Sequence, residues 1–333
     1  MQASIRIISP LSRIAPLAWV LLAALLLALS PASRADERLN LVATTAMIAD
    51  TLREVGGEHV SVRSLMGPGV DPHLYRQTRN DISLMTRADA VFWNGLYLEA
   101  QLEGFLERLG ARQPVITVGE ALPVERRLAD EEYPDRHDPH IWMDPTRWQS
   151  VVGAIRDALM ELSPEHRDTF QTNAQAFSAR IASLDEYARD VLESVPEGSR
   201  VLVTAHDAFG YFGDAYDFEV LGIQGFSTES EAGLARIESL VNLLVSRRIG
   251  AIFVESSVSA RNIRALIEGA AAQGWQVEVG GELFSDAMGH PDSYEGSYIG
   301  MIDHNVTLIA RALGGDAPAG GMQGQLGSAR EPE

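Results

Sequence analysis

The sequence predicts an α/β protein of two parallel-sheet lobes joined by one long, rigid helix. Three observations carry the architecture. Short β-branched apolar runs alternate with helical stretches over residues 39–117, and again from residue 200 to 313, as in parallel strands covered on both faces. Between the two sets lies a segment with helical periodicity and no strand-like run. The chain has 333 residues, 46% hydrophobic and 22% charged, enough for two cores of ordinary globular composition.

The first 35 residues stand apart from the fold. Arg6 and Arg13 precede an uncharged apolar run, Leu17 to Leu29, and Ser33 to Ala35 supply small residues for cleavage after Ala35. Together they predict a secretory signal peptide. The run is short of the roughly 20 residues that a spanning helix takes. The N-terminal lobe, residues 36–144, opens with the strand "LNLVATT" and the helix "AMIADTLREVGG", stopped by Gly56 and Gly57. "VSVRSLM", "ADAVFWNG" and "QPVITVG" are the next three strands.

Residues 145–197 form the helical section. Ser163-Pro164 marks the start of its second helix, with Ser as N-cap and Pro at the first helical position. Phe170, Ala174, Phe177, Ile181, Leu184, Tyr187 and Val191 then recur at steps of three and four. That is one apolar face of a helix of roughly 30 residues, about 45 Å long. The C-terminal lobe, residues 198–314, alternates the strands "RVLVTAH", "FEVLGIQGF", "AIFVESS" and "WQVEVGG" with helices, among them Ser230 to Arg248 and a last one from Ser297 to Leu313. The Gly-, Ala- and Pro-rich residues 315–333 are expected to form a flexible tail.

Charge and cysteine count narrow the function. The formal net charge is −19, and losing Arg6, Arg13 and Arg34 with the leader lowers it by three, to −22. Such a surface repels nucleic acid and anionic membrane and draws cations. The chain has no cysteine. It therefore has no disulfide, no thiolate metal site and no residue for a cysteine-linked lipid, and any metal must use histidine, carboxylate, carbonyl or water. The mature protein is expected free in the periplasm, as a monomer with no membrane anchor.

Ligands of parallel α/β sheets collect beyond the carboxyl ends of the strands. Metal-capable side chains there are His73 in "GPGVDPHLYRQT", His206 at the end of "VLVTAH", Asp286 in "LFSDAMG", and His140 in "RHDPHIWMDP", ahead of the helical section. Three imidazoles and a carboxylate from opposed lobes would make a four-point cage for a divalent first-row metal. Their spacing alone is not diagnostic. The tripeptide Asp-Pro-His occurs twice, at Asp71 to His73 and Asp138 to His140. Proline restricts the chain on both sides, so each histidine is presented from a stiff turn.

The leader, the two lobes, the long helix and the phrases "GPGVDPHLYRQT", "DPHIWMDP", "VTAHDAFGYFGDAYDFEVLGIQGFSTESE", "AIFVESS", "GGELFSDAMG" and "EGSYIGMIDHNV" together resemble the zinc/manganese solute-binding proteins of ABC importers, the TroA-type or cluster 9 family. The likeness runs from about Leu39 to Leu313. It implies one Zn²⁺ or Mn²⁺ per chain, held by His73, His140, His206 and Asp286 and delivered to a membrane permease. It gives His137 no ligand position. Two departures separate this chain from the dedicated subtypes. The region before His140, "RRLADEEYPDRHDPH", is acidic where many zinc members carry a long His-rich loop. Position 206 is histidine where many manganese members have glutamate.

Other histidines read as structural or solvent-facing: His59, His166, His290 and His304. His137 reads as a solvated loop residue and the acids from Asp130 to Asp138 as a solvated run. Trp93, Trp142 and Trp148 read as lobe packing or as a dry wall around the metal. Glu255, at a strand end, is equally a candidate for orienting a histidine or for capping. The competing function is a secreted zinc-dependent hydrolase using the same three histidines and aspartate. No HExxH and no separate general base support it, and four protein ligands already satisfy zinc.

Overall fold

The computed structural model describes residues 38–129 and 136–327. The expected leader lies outside the described residues, as does most of the acidic run.

In the N-terminal lobe, β1 (Leu39–Ala43), β2 (Val60–Ser64), β3 (Ala90–Trp93) and β4 (Val115–Thr117) form one parallel sheet in the order β2-β1-β3-β4. All four residues of β3 are buried, as a strand covered on both faces requires. The winding reverses between β1 and β3, which opens a crevice at their carboxyl ends. The connections contain α1 (Ala46–Gly56), α2 (Arg79–Met85) and α3 (Glu103–Gly110). Helix α1 buries Met47, Ile48, Leu52 and Val55 and stops at Gly57, whose φ of 56° suits glycine. Helix α2 begins in a reciprocal cap: the Asp81 amide donates to Thr78 Oγ1, and the Thr78 amide to the Asp81 carboxylate.

Two helices follow, α4 (Pro145–Leu162) and α5 (Arg167–Glu193). Asp144 caps α4 by accepting from the amides of Thr146 and Arg147, with Pro145 at the first helical position. Helix α5 has 27 residues, about 40 Å at 1.5 Å per residue. It buries Phe170, Ala174, Phe177, Ile181, Leu184 and Val191 as the periodicity predicts. Tyr187 is only half-buried, because its hydroxyl reaches Thr307 at 2.7 Å, and Ala188 takes the neighbouring buried position. Ser163 does not cap α5. It terminates α4, and Pro164–His166 form a 3₁₀ turn, since the four residues between the helices leave room only for a tight corner.

The C-terminal lobe holds β5 (Val201–His206), β6 (Glu219–Gln224), β7 (Ala251–Glu255) and β8 (Glu278–Leu283), with α6 (Gly210–Tyr216), α7 (Leu234–Arg247), α8 (Arg261–Ala272) and α9 (Tyr298–Ala312). β5 pairs with β6 and β7 with β8, both parallel. β5 and β7 lie side by side but share no ladder. Their carboxyl ends are joined instead by Glu255, which accepts from the His206 amide at 2.9 Å. Helix α7 starts at Leu234, four residues after the expected Ser230, because Gln224 holds the carbonyls of Thr228 and Ser230 in a non-helical loop. Helix α5 packs on α1, α4 and α9 and so touches both lobes.

The expected flexible tail is held as far as it is described. Both carboxylate oxygens of buried Asp303, on α9, accept from the Met322 amide at 3.0 Å. Arg311 donates to the Ala317 carbonyl, and Ala317 is buried. Residues 328–333 lie outside the described residues. Among the described residues, no helix is long and apolar enough to cross a membrane.

Candidate metal centre

Four polar side chains from two lobes meet in a space that water barely reaches. His73 lies on the connection from β2 to α2, and His140 sits just before the 3₁₀ turn Ile141–Met143 that leads into α4. His206 is the last residue of β5, and Asp286 follows β8. Their relative exposures are 2%, 0%, 0% and 3%. One atom from each lies within 4.8 Å of every other. His73 Nε2 is 3.4 Å from His140 Nε2 and 3.9 Å from Asp286 Oδ2. Asp286 Oδ1 is 3.3 Å from His140 Nε2, and Oδ2 is 3.1 Å from His206 Nε2. Tetrahedral zinc ligands about 2.0–2.1 Å from the ion stand roughly 3.3–3.4 Å apart. Three of the four separations, 3.1–3.4 Å, already match the edge that a small divalent ion imposes.

The two Asp-Pro-His tripeptides fold as twin turns. Asp71 Oδ1 accepts from the His73 amide at 2.8 Å, and Asp138 Oδ1 from the His140 amide at 2.9 Å. They then diverge. Asp138 Oδ1 also lies 2.7 Å from His140 Nδ1. The second oxygen of Asp71 instead takes the hydroxyl proton of Thr228, 2.6 Å away in the other lobe. His206 Nδ1 lies 2.5 Å from Glu255 Oε2. Glu255 thus fills both roles open to it in the sequence, holding the ring with one oxygen and the amide with the other.

These contacts fix the tautomers. With Nδ1–H donated to Asp138 and Glu255, the Nε2 atoms of His140 and His206 present bare lone pairs to the carboxylate of Asp286. His206 Nε2 and both Asp286 oxygens are buried without a hydrogen-bond partner. Buried polar atoms are seldom left so. Converging acceptors repel one another unless a cation lies between them, so the donor set fits a divalent metal. Three imidazoles and one carboxylate suit a borderline ion such as Zn²⁺, and tolerate Mn²⁺.

Protons can stand in for the cation. Burial works against a charged His140, but the carboxylates of Asp138 and Asp286 outweigh it and raise the ring to about 9. For His206 burial is likewise outweighed, by Asp286 and Glu255, and its pKa rises well above the ordinary imidazole value. His73 lacks such a partner: burial, with smaller repulsion from the other two rings, lowers it to about 3 against the pull of Asp286. Asp286 itself is buried, yet His206 and His140 hold it well below the usual carboxylate range.

Other sequence candidates fall elsewhere. His137 is outside the cage; it is half-buried in an isolated β-bridge with Ala129, not a solvated loop residue. Asp138 is fully buried, so the acidic run does not end in solvent. His59 and His166 stack on each other at 3.7 Å, and His304 Nε2 donates to the Glu282 carbonyl, 2.9 Å away. Trp142 is part of the cage wall: its ring packs edge-on against His140 at 5.2 Å, and Nε1 donates to the carbonyl of Ser285, beside Asp286. Trp148 stacks on Tyr298, and Trp93 packs in the N-terminal core. Sequence reasoning missed Asp138 as the partner of the His140 ring, although its place two residues before the histidine is the signal of an Asx turn.

A family model described as "Zinc-uptake complex component A periplasmic" matches residues 41–312. The manganese-binding lipoprotein MntA of Bacillus subtilis (strain 168) is 44% identical over 284 residues, 85% of this chain and 92% of that protein. The zinc-binding protein TroA of Treponema pallidum (strain Nichols) is 43% identical over 279 residues, 84% of this chain and 90% of its own length. The solved structure of the periplasmic zinc-binding protein TroA from Treponema pallidum superposes with a TM-score of 0.81 at 42% identity, covering 83% of this chain and 99% of that one.

Proposed function

The chain belongs to the family of periplasmic zinc-uptake component A proteins, and from that premise we propose that it captures one Zn²⁺ or Mn²⁺ ion outside the cytoplasm and passes it to the permease of an ABC importer. The ligands in this reading are His73 Nε2, His140 Nε2, His206 Nε2 and the Asp286 carboxylate. The observation that carries it is the convergence of buried acceptors at 3.1–3.9 Å, with Asp138 and Glu255 holding two of the rings from behind. Such outer carboxylates fix ring orientation and strengthen the ligand.

Zinc should win a direct competition. Imidazole is the better zinc ligand, and a mixed nitrogen and oxygen site follows the Irving–Williams order. One relative is named for manganese and another for zinc, at nearly equal identity, so family membership alone does not choose between them.

The cage supports transport, not hydrolysis. With these four ligands a tetrahedral shell would be filled, leaving no position for a metal-bound hydroxide. The protein acts as a monomer in solution in the periplasm. Several relatives are named lipoproteins, but this chain has no cysteine to carry such a lipid. The test is elemental analysis and titration of purified protein beside hydrolase assays. One tight site per chain without turnover is expected; two tight sites, none, or metal-dependent hydrolysis would sink the reading. Fractionation of the producing cell tests the soluble location.

A further inference from the structure

Each ligand side chain is at most 3% exposed, so an ion enters or leaves only when a ligand-bearing segment moves. Three of the four are firmly held. Glu255 grips both the amide and the ring of His206 at the end of a strand. Asp138 grips the amide and ring of His140, and the Tyr211 hydroxyl in turn holds the Asp138 carbonyl. Buried Trp142 holds the carbonyl next to Asp286.

The His73 ring has no such hold from behind. It lies on the connection 65–78, which contains no helix or strand. Its Nδ1 is buried without a partner. Among the described residues, and apart from the cage, one hydrogen bond joins residues 67–74 to another part of the chain: Thr228 Oγ1 to Asp71 Oδ2, at 2.6 Å. The other oxygen of Asp71 holds the His73 amide. Thr228 belongs to the connection from β6 to α7. There Gly225, Glu229, Ser230, Glu231 and Gly233 are exposed, while Thr228 is buried at 7%. A second tether, Gln101 Nε2 to Glu229 Oε1 at 2.6 Å, reaches the same loop but is exposed, where water competes for both partners.

We infer that Thr228 is a latch: through Asp71 it holds His73 in the cage from the opposite lobe, and breaking the Thr228–Asp71 bond is the step that lets His73 swing out and the ion leave. Thr228 touches no ligand atom and is a positioning residue. A buried hydroxyl-to-carboxylate bond is of the stronger, charge-assisted kind. It suits a latch because a single rotamer change of Thr228 breaks it. The inference rests on the four proposed ligands binding metal, which titration of the unaltered protein with Zn²⁺ establishes first. Absence of binding there would overturn the metal reading itself, and the latch with it.

Given binding, the test compares Thr228→Val, which keeps the shape and removes the donor, with Thr228→Ser, which restores the donor. Zn²⁺ release is followed by rapid mixing with excess chelator. Release from Thr228→Val should be about tenfold faster, the worth of one such bond. Thr228→Ser should release at the original rate. Equal release rates in Thr228→Val and the original protein, or no rescue by Ser, would overturn the latch. A second measurement needs no variant. On metal removal, amide exchange should rise most in the segment 66–77, and a larger rise around His140, His206 or Asp286 would show that a different ligand opens the cage.

Discussion

His137 and His140 share one loop, yet only one ring reaches the cage. Asp138 Oδ1 takes both the amide and Nδ1 of His140 and aims Nε2 inward, whereas His137 pairs with Ala129 outside it. In metal competition titrations, His140→Ala should weaken Zn²⁺ binding by more than 100-fold, roughly the upper bound for losing a mere outer partner. His137→Ala should leave it nearly unchanged, and equal losses would count against the assignment. His206 offers a different lever. Glutamate there would replace an imidazole by a harder carboxylate and should shift the ratio of dissociation constants toward Mn²⁺. A variant that kept its zinc preference would mean that cage geometry, not ligand type, sets selectivity. The four cage residues were legible because each follows a strand or a stiff Asp-Pro turn, and the family resemblance then picked them out. The carboxylates behind them were less so. Glu255 meets His206 across 49 positions, a pairing that no local pattern encodes.

At the level of elements, periodicity served well wherever burial alone shapes the chain. Helix α5 buries the face its three- and four-residue steps describe, and β3 and β5 are buried along their whole length. It failed where polar side chains capture backbone. Gln224 delays the start of α7, and Glu255 replaces a ladder between β5 and β7. Asp303 pins a glycine-rich segment with no periodicity of its own. Two stability changes follow from such captures. Asp144→Ala removes the acceptor for two amides at the start of α4 and the partner of Arg147. It should cost about 1–2 kcal/mol in denaturant unfolding, the range for an N-cap. Ending the chain after Gly314 strips buried Asp303 of its Met322 amide, leaving Tyr294 and Thr307 as its partners. That loss should lower the midpoint by an amount equivalent to about 1–3 kcal/mol, the penalty for depriving a buried acceptor of a partner. An unchanged midpoint would mean that residues 315–327 contribute nothing to stability.

Across the whole molecule, metal and protons compete for the same lone pairs, so loading and stability are linked. In the empty protein His140 titrates at about 9 and His206 is raised as well, against an unfolded value of about 6.5. A raised folded pKa stabilises the empty fold fully below about 6.5, and that contribution is lost as pH climbs through about 9. The loaded fold behaves oppositely. Its ion must expel those protons, so binding tightens with rising pH over the same window. Each proton displaced makes the affinity change about tenfold per pH unit, or about 1.4 kcal/mol of added stabilisation at a fixed free-ion concentration. With both rings protonated at the start, the slope approaches two protons per ion. His73, lowered to about 3, is already neutral here and adds nothing. The gap between the unfolding midpoints of loaded and empty protein should therefore widen steadily from about pH 6.5 to about pH 9. Calorimetric titration near pH 7, in buffers of different ionisation enthalpy, should show between one and two protons released per ion, about the number the two raised rings carry. A constant gap together with no proton release would mean that His140 and His206 meet the metal unprotonated. Asp138 and Glu255 would then orient the rings without charging them.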